Sequence, residues 1–174
     1  MGQAANVPAG AWRCLDLGSG GGLPGLVLAQ ARPELSVVLL EARERRCRFL
    51  REAVEALGLS GRADVIEERA ETAARRPDLR EAIDVVVARS FGPPAVTAEC
   101  AVGFLRAGGY LVVSEPPPET AQFRWDEDGL EALGLSPPVP GDGVGGGTFV
   151  RLEKLRLDER WPRRVGIPAK RPLW

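Results

Sequence analysis

The sequence predicts an α/β fold, a doubly wound and mostly parallel sheet with helices on both faces. Three observations predict it. Short β-branched apolar runs alternate along the chain with segments of helical periodicity, the pattern of consecutive βα units. The first apolar run passes straight into Gly18-Ser19-Gly20-Gly21-Gly22, the kind of turn that joins strand to helix where open sheets hold nucleotide-like ligands. The 174 residues, 44% hydrophobic and 27% charged, suit one domain with a sizeable core.

Taken in order, residues 12–17 read as the first strand and residues 23–31 as the helix after the turn. Pro24 fits a first helical turn, where its missing N–H is not needed. Residues 37–41 are β-branched and apolar, a buried second strand. Residues 43–57 form an amphipathic helix, since Phe49, Leu50, Ala53, Val54 and Leu57 follow 3.6 spacing and Gly58 stops it. A third strand at 64–67 leads to a helical segment at 71–81, interrupted by Pro77. Residues 84–88 are the fourth strand. A helix at 94–105, ended by Gly108-Gly109, precedes a fifth strand at 110–114, which Pro116-Pro117-Pro118 stops. Residues 130–133 close a further helix, 141–147 form a turn or loop, and 148–157 alternate well enough for a late antiparallel strand. The prolines after Trp161 predict an extended tail and no helix. The organisation expected is one α/β domain over 1–157 with a basic, proline-rich C-terminal tail over 158–174, and no internal repeat.

Composition narrows the function classes. The net charge of −1 does not announce a nucleic-acid binder, but its distribution is uneven. Arg43, Arg45, Arg46, Arg48 and Arg51 cluster against one acid, Glu44, which can pair with Arg48 four residues on. Arg160, Arg163, Arg164, Lys170 and Arg171 stand in the tail. Each set is either a solvated face or a phosphate-contacting patch. No run approaches membrane-spanning length, and no signal segment opens the chain. Cys14, Cys47 and Cys100 are widely spaced, and with no His in the chain no metal site is expected. Three reduced cysteines suit a cytoplasmic protein.

The glycines Gly20, Gly22 and Gly25 spell a literal G-x-G-x-x-G, so a dinucleotide site must be weighed. Asp16 argues against it. A carboxylate at the end of this strand would repel a pyrophosphate, but would attract the ammonium and sulfonium of S-adenosylmethionine (SAM). Sheets of this kind bind ligands at the carboxyl ends of their strands, which gathers Asp16 to Gly22, Glu41, Glu67 to Glu71, Arg89 to Phe91 and Ser114-Glu115 around one crevice. Glu41 ends the second strand, where it can accept from both ribose hydroxyls or else cap the next helix. Ala70-Glu71 falls where adenine would lie, or Glu71 is a surface acid opening a helix. Arg89 ends an apolar strand, a costly place for a cation unless it meets ligand or an acid such as Glu41, Glu71 or Glu115.

The acceptor is narrowed by what is missing. Cytosine C5 chemistry needs a Pro-Cys, which does not occur. The segment Arg89-Ser90-Phe91-Gly92-Pro93-Pro94 does not match the motif of exocyclic-amine methylation. Only two lysines are present, both late, where ribose methylation commonly needs catalytic ones. A ring nitrogen such as guanine N7 carries its own lone pair and needs no general base; positioning supplies the acceleration.

Together, residues 15–25, Leu39-Leu40-Glu41 with Arg45-Arg46 and Phe49-Leu50, Arg69-Ala70-Glu71 and Ala88-Arg89-Ser90-Phe91 resemble the RsmG (GidB) family. The tail from Trp161 to Leu173 is similar to that family's C-terminal motif. The resemblance implies a class I SAM-dependent methyltransferase, Rossmann-like, that methylates guanine N7 in small-subunit (16S) ribosomal RNA. Its partner would be ribosomal RNA or the small ribosomal subunit, with no membrane and no DNA, and a monomer is favoured. Carried over by motif, cofactor contacts fall on Asp16, Gly18, Gly20, Leu23, Glu41, Ala70, Glu71 and Arg89. Arg89 would also orient the reactants as the catalytic residue, and Arg43, Arg45, Arg46, Arg163, Arg164 and Lys170 would meet RNA. Two departures stand out. The family normally carries a helical segment before the first strand, which here starts almost at once. Many members have Lys-Gly after the fifth strand, where this chain has Ser114-Glu115, a carboxylate that would repel an RNA phosphate. A different acceptor, or an RNA-binding paralogue without catalysis, remain alternatives.

Overall fold

The computed structural model describes residues 7–10, 12–116, 124–141 and 147–174. Its elements are β1 (Arg13–Leu17), α1 (Gly25–Ala31), β2 (Ser36–Glu41), α2 (Glu44–Ala56), β3 (Ala63–Glu67), α3 (Ala70–Ala73), β4 (Ile83–Ala88), α4 (Pro94–Val102), β5 (Leu105–Glu115), α5 (Glu127–Leu133), β6 (Val139–Gly141), β7 (Thr148–Glu153) and α6 (Ile167–Lys170). Among the described residues one seven-stranded sheet runs β3-β2-β1-β4-β5-β7-β6. The first five strands are parallel, and β7 runs antiparallel to both β5 and β6. The order turns outward from β1 to β2 on one side and β4 on the other, so the cleft between these strands opens at their carboxyl ends.

Alternate residues of the parallel strands feed two cores. Cys14, Val37, Leu39, Val85 and Val87 point to one face and pack with Leu26, Leu28 and Ala29 of α1 and Leu50 and Val54 of α2. Leu15, Leu17, Val38, Leu40, Val86 and Ala88 point to the other, against α3, Ala98 and Ala101 of α4, and Leu130 and Leu133 of α5. Burial on both faces is why these strands read as continuous apolar runs. Cys14, Cys47 and Cys100 are buried and unbridged.

Four expectations are corrected. The helix expected over 71–81 is only the single turn α3; Pro77 lacks the N–H a continued helix would need, and the chain goes on in turns. The helix expected to reach residue 105 ends at Val102, because Leu105 already pairs with Ile83. β5 therefore absorbs Gly108-Gly109 as an irregularity, its register shifting between Ile83 and Val85. The late strand stops at Glu153 instead of residue 157, with β6 beyond it at the sheet edge. The expected loop at 141–147 lies mostly outside the described residues.

The tail is the fourth. It is not wholly extended: Gly166, at φ +79°, starts the short helix α6, whose first turn accommodates Pro168. The tail runs back over the α3–α4 face. Trp161 is buried in that core and its indole Nε1 donates to Ala132 O at 3.1 Å. Arg75 Nη2 donates to Pro162 O at 2.5 Å. The Arg163 guanidinium grips Glu99 of α4 through two bonds of 2.8 and 2.6 Å. Trp174 closes over α5, donating to Arg124 O at 3.0 Å.

Candidate active site

Gly18 leaves β1 at φ +71°, a left-handed conformation suited to glycine, and Phe91 lies across it. A methyl group on Gly18 would stand 2.6 Å from Phe91 Cδ2. The turn is secured from both sides. Ser19 N donates to Leu40 O of β2 at 2.9 Å, and Gly20 N donates to the Glu41 carboxylate at 3.0 Å. Asp16 lies beneath the turn, 1% exposed, with Oδ2 accepting from Gly25 N at 2.9 Å where α1 begins. A side chain on Gly25 would meet that oxygen at 2.6 Å. Burial raises the Asp16 carboxyl to about pKa 7 against the pull of the Gly25 amide, with nearby Glu41 adding to the rise.

Glu41 ends β2 almost wholly buried. Its Oε1 accepts from Ala42 N and Arg43 N, both at 2.9 Å, and Arg46 stands 3.5 Å from Oε2. The carboxylate thus ties the glycine turn to the start of α2. Glu71 is also buried, which removes the reading of it as a surface acid. Its Oε1 accepts from Gly166 N of the tail at 2.8 Å, with Arg69 at 3.7 Å.

These groups surround a cavity of about 270 Å³ lined by Gly18, Leu40, Glu41, Arg43, Arg46, Ala70, Glu71, Ser90, Phe91, Cys100 and Ala169. A second cavity of about 440 Å³ adjoins it, sharing Ser90 and Phe91 and lined further by Arg89, Thr97, Ser114, Glu115 and Arg124. Of the residues expected at the cofactor, Gly18, Glu41, Ala70 and Glu71 meet in the first cavity. Asp16, Gly20 and Leu23 do not line it: Asp16 and Gly20 brace the turn, and Leu23 is exposed. Arg89 lines the second cavity. It is exposed, and the ion pairs considered for it do not form, because Glu41, Glu71 and Glu115 pair with Arg46, Arg69 and Arg124.

The basic residues separate as well. Arg43 and Arg46 line the first cavity, while Arg45 stands exposed beside them on α2. The pairs formed from this cluster are Arg46–Glu41 and Arg51–Glu67, not Glu44–Arg48. Arg164 and Lys170 are exposed, whereas Arg163 is committed to Glu99, which is fully buried. Sequence reasoning missed Ala169 in the cavity wall and Glu99 under the tail. For Glu99 a signal existed, as it is the one charge in the segment Pro94–Val102. Nothing local marks Ala169, which reaches the cavity by way of the whole tail.

The donor set suits SAM: Leu40, Ala70 and Cys100 give an apolar slot for a purine, and buried carboxylates offer acceptors to hydroxyl, amine and ammonium groups. Fold and cavity together define a class I SAM-dependent methyltransferase domain. Two solved structures share the fold. A SAM-dependent O-methyltransferase from Thermotoga maritima superposes with a TM-score of 0.66 at 17% identity, over 90% of this chain and 64% of that one. A SAM-dependent methyltransferase from Aquifex aeolicus gives 0.62 at 18% identity, over 83% and 82%.

The family model described as rRNA small subunit methyltransferase G (GidB) matches residues 3–124, and the chain belongs to that family. It is similar to proteins named ribosomal RNA small subunit methyltransferase G. The relative from Rubrobacter xylanophilus is 40% identical over 94% of this chain and 66% of its own length. That from Moorella thermoacetica is 34% identical over 98% and 72%, and that from Deinococcus radiodurans 37% identical over 95% and 67%. The chain thus spans about two thirds of the length of these relatives.

Proposed function

We propose that this chain transfers the methyl group of SAM to N7 of a guanine in small-subunit (16S) ribosomal RNA. The observation that carries the reading is the pair of adjoining cavities at the carboxyl ends of β1, β2, β4 and β5, which share Ser90 and Phe91 in their walls. One suits the cofactor, and the other suits a planar acceptor presented to it. The relatives' name, ribosomal RNA small subunit methyltransferase G, supports ribosomal RNA as the acceptor.

SAM supplies an electrophilic methyl on a sulfonium. The chain's own residues bind and orient. Glu41 accepts from the ribose hydroxyls, Ala70 and Leu40 enclose the adenine beside Glu71, and Asp16 fixes the turn against which the methionine end lies. Phe91 offers a face for the flipped-out base. Arg89, exposed at the second cavity, orients the nucleotide through its phosphate. No proton need be removed from N7 before attack, so a site without histidine suffices. Arg43, Arg45, Arg46, Arg164 and Lys170 form the phosphate-contacting surface, and Arg163 acts instead as the anchor of the tail. The division into a catalytic unit over 1–157 and a tail over 158–174 is retained with one change: the tail completes the cavity wall. No helix among the described residues is long and apolar enough to cross a membrane.

The test is transfer of labelled methyl from SAM to small subunits lacking the modification, read by cleavage specific for N7-methylguanine. Label at one guanine, lost in Arg89→Ala, is expected. Gly18→Arg, driven into Phe91, is expected to abolish SAM binding by calorimetry. Cofactor binding without label in RNA would overturn the acceptor and leave a methyltransferase of another substrate or a non-catalytic RNA-binding paralogue.

A further inference from the structure

Glu115 ends β5 at the second cavity, and its environment asks for a ligand. Its side chain is 3% exposed. One oxygen, Oε2, is held by Arg124 in a short ion pair. The other, Oε1, is buried with no hydrogen-bond partner among the described residues. A buried carboxylate oxygen left without a donor is costly, and native proteins fill such positions with a partner. Because an ionised carboxylate only accepts, the missing partner must be an N–H or O–H group, which excludes a phosphate and any acceptor edge.

We propose that Glu115 is the residue that reads the acceptor base, its free Oε1 accepting from N1–H of the target guanine in the second cavity. This rests on the guanine-N7 reading above. Guanine carries N1–H on the edge opposite N7, so a base held by that edge at Glu115 turns its nucleophilic nitrogen away from β5, and the cofactor cavity lies on the far side of Ser90 and Phe91. Adenine offers a lone pair at N1 and is repelled by the same oxygen. The contact also strengthens during reaction. As the N7 lone pair forms the new N–C bond, the C–S bond breaks with its electrons passing to sulfur. The positive charge moves from sulfur to the purine, so N1–H becomes more acidic and a better donor. An interaction stronger in the transition state than in the ground state accelerates the step. Arg124 is the positioning residue that fixes which oxygen is free. Burial and the Arg124 pair also account for a carboxylate at the place where many family members carry Lys-Gly: the Glu115 side chain is turned from solvent and meets no RNA phosphate.

The experiment uses small subunits reconstituted with guanine or 2-aminopurine at the methylated position. The latter keeps N7 and the 2-amino group, has a lone pair in place of N1–H and carries no donor at C6. In Glu115→Gln the carbonyl oxygen is claimed by Arg124, which leaves the amide NH2 where Oε1 was, a donor for that lone pair. Wild type is expected to prefer guanine, and Glu115→Gln to shrink that preference in kcat/KM by about tenfold or more, the equivalent of one exchanged hydrogen bond. SAM affinity is expected to be unchanged. Should Glu115→Gln lose SAM binding, Arg124→Gln, which frees both carboxylate oxygens, is expected to lower the guanine rate while the preference for guanine persists. Equal losses on both bases, with the preference intact in Glu115→Gln, would mean a structural role and overturn the proposal. Failure of wild type to label guanine at all would instead overturn the reading on which it rests.

Discussion

Asp16 and Glu41 are two buried acids with different work. Asp16 props the turn from below through Gly25 N, while Glu41 straps it sideways through Gly20 N. Their positions were legible from spacing, one acid two residues before the first glycine and one at the end of the next strand. Their partners were not, because spacing does not say whether a carboxylate points into the cleft or back at a backbone amide. Asp16 gives a pH prediction. Its folded pKa, about 7, lies above the ordinary 3.8, so the folded protein holds this proton more tightly than the unfolded chain. The stability so contributed is full below the unfolded value and is lost as pH rises through about 7. Asp16→Asn, which keeps an acceptor for Gly25 N, is expected to gain in Tm over wild type as pH is raised from about 4 to about 8. Thermal melts of the two proteins across that range check it; a difference that stays flat would show that burial does not govern this group.

At the level of elements, the parallel strands were readable because burial on both faces leaves an unbroken apolar signature. The short pieces were not. β6 is Val139–Gly141, with a proline in the middle, and nothing in three such residues says strand until β7 lies beside them. α6 is a single turn made by its contacts, not by its propensity. The tail that contains it is fixed by the Arg163–Glu99 pair, whose acid is fully buried. Arg163→Ala would strand that charge in the core and is expected to destabilise the fold by about 3 kcal/mol. Glu99→Gln with Arg163→Ala should recover part of the loss, because no buried charge is then left unpaired. Urea denaturation of the three proteins measures both changes; an unaffected Arg163→Ala would mean that water already reaches Glu99.

Across the whole molecule, a net charge near zero conceals a basic surface. Arg43, Arg45 and Arg46 lie at the start of α2, and Arg46 reaches across to Glu41 at the first cavity. Arg164 and Lys170 are exposed on the tail, whose Ala169 lines that same cavity. Two patches far apart in sequence thus come to one rim, which the sequence showed only as separate runs. If both contact phosphates, binding to small-subunit RNA should weaken steeply with salt, and replacing Arg45 and Arg164 together by Ala should reduce the log–log slope by about two. Filter binding over a salt series reads the slope directly; one unchanged by the double variant would remove these arginines from the interface.

The hydrogen bond from Gly166 N to Glu71 has a thermodynamic corollary. It makes the tail part of the wall of the first cavity, so if that cavity takes SAM as proposed, the docked tail and the filled cavity share one free-energy cycle. Whatever SAM gains from the tail, the tail must gain from SAM. S-adenosylhomocysteine is therefore expected to slow carboxypeptidase digestion from Trp174, and removal of residues 166–174 to weaken S-adenosylhomocysteine binding by the same coupling factor. Digestion that ignores the ligand would uncouple the two. If the cycle holds, occupancy of the first cavity is sensed at the docked tail, and a partner that grips the tail would alter cofactor affinity without entering the site.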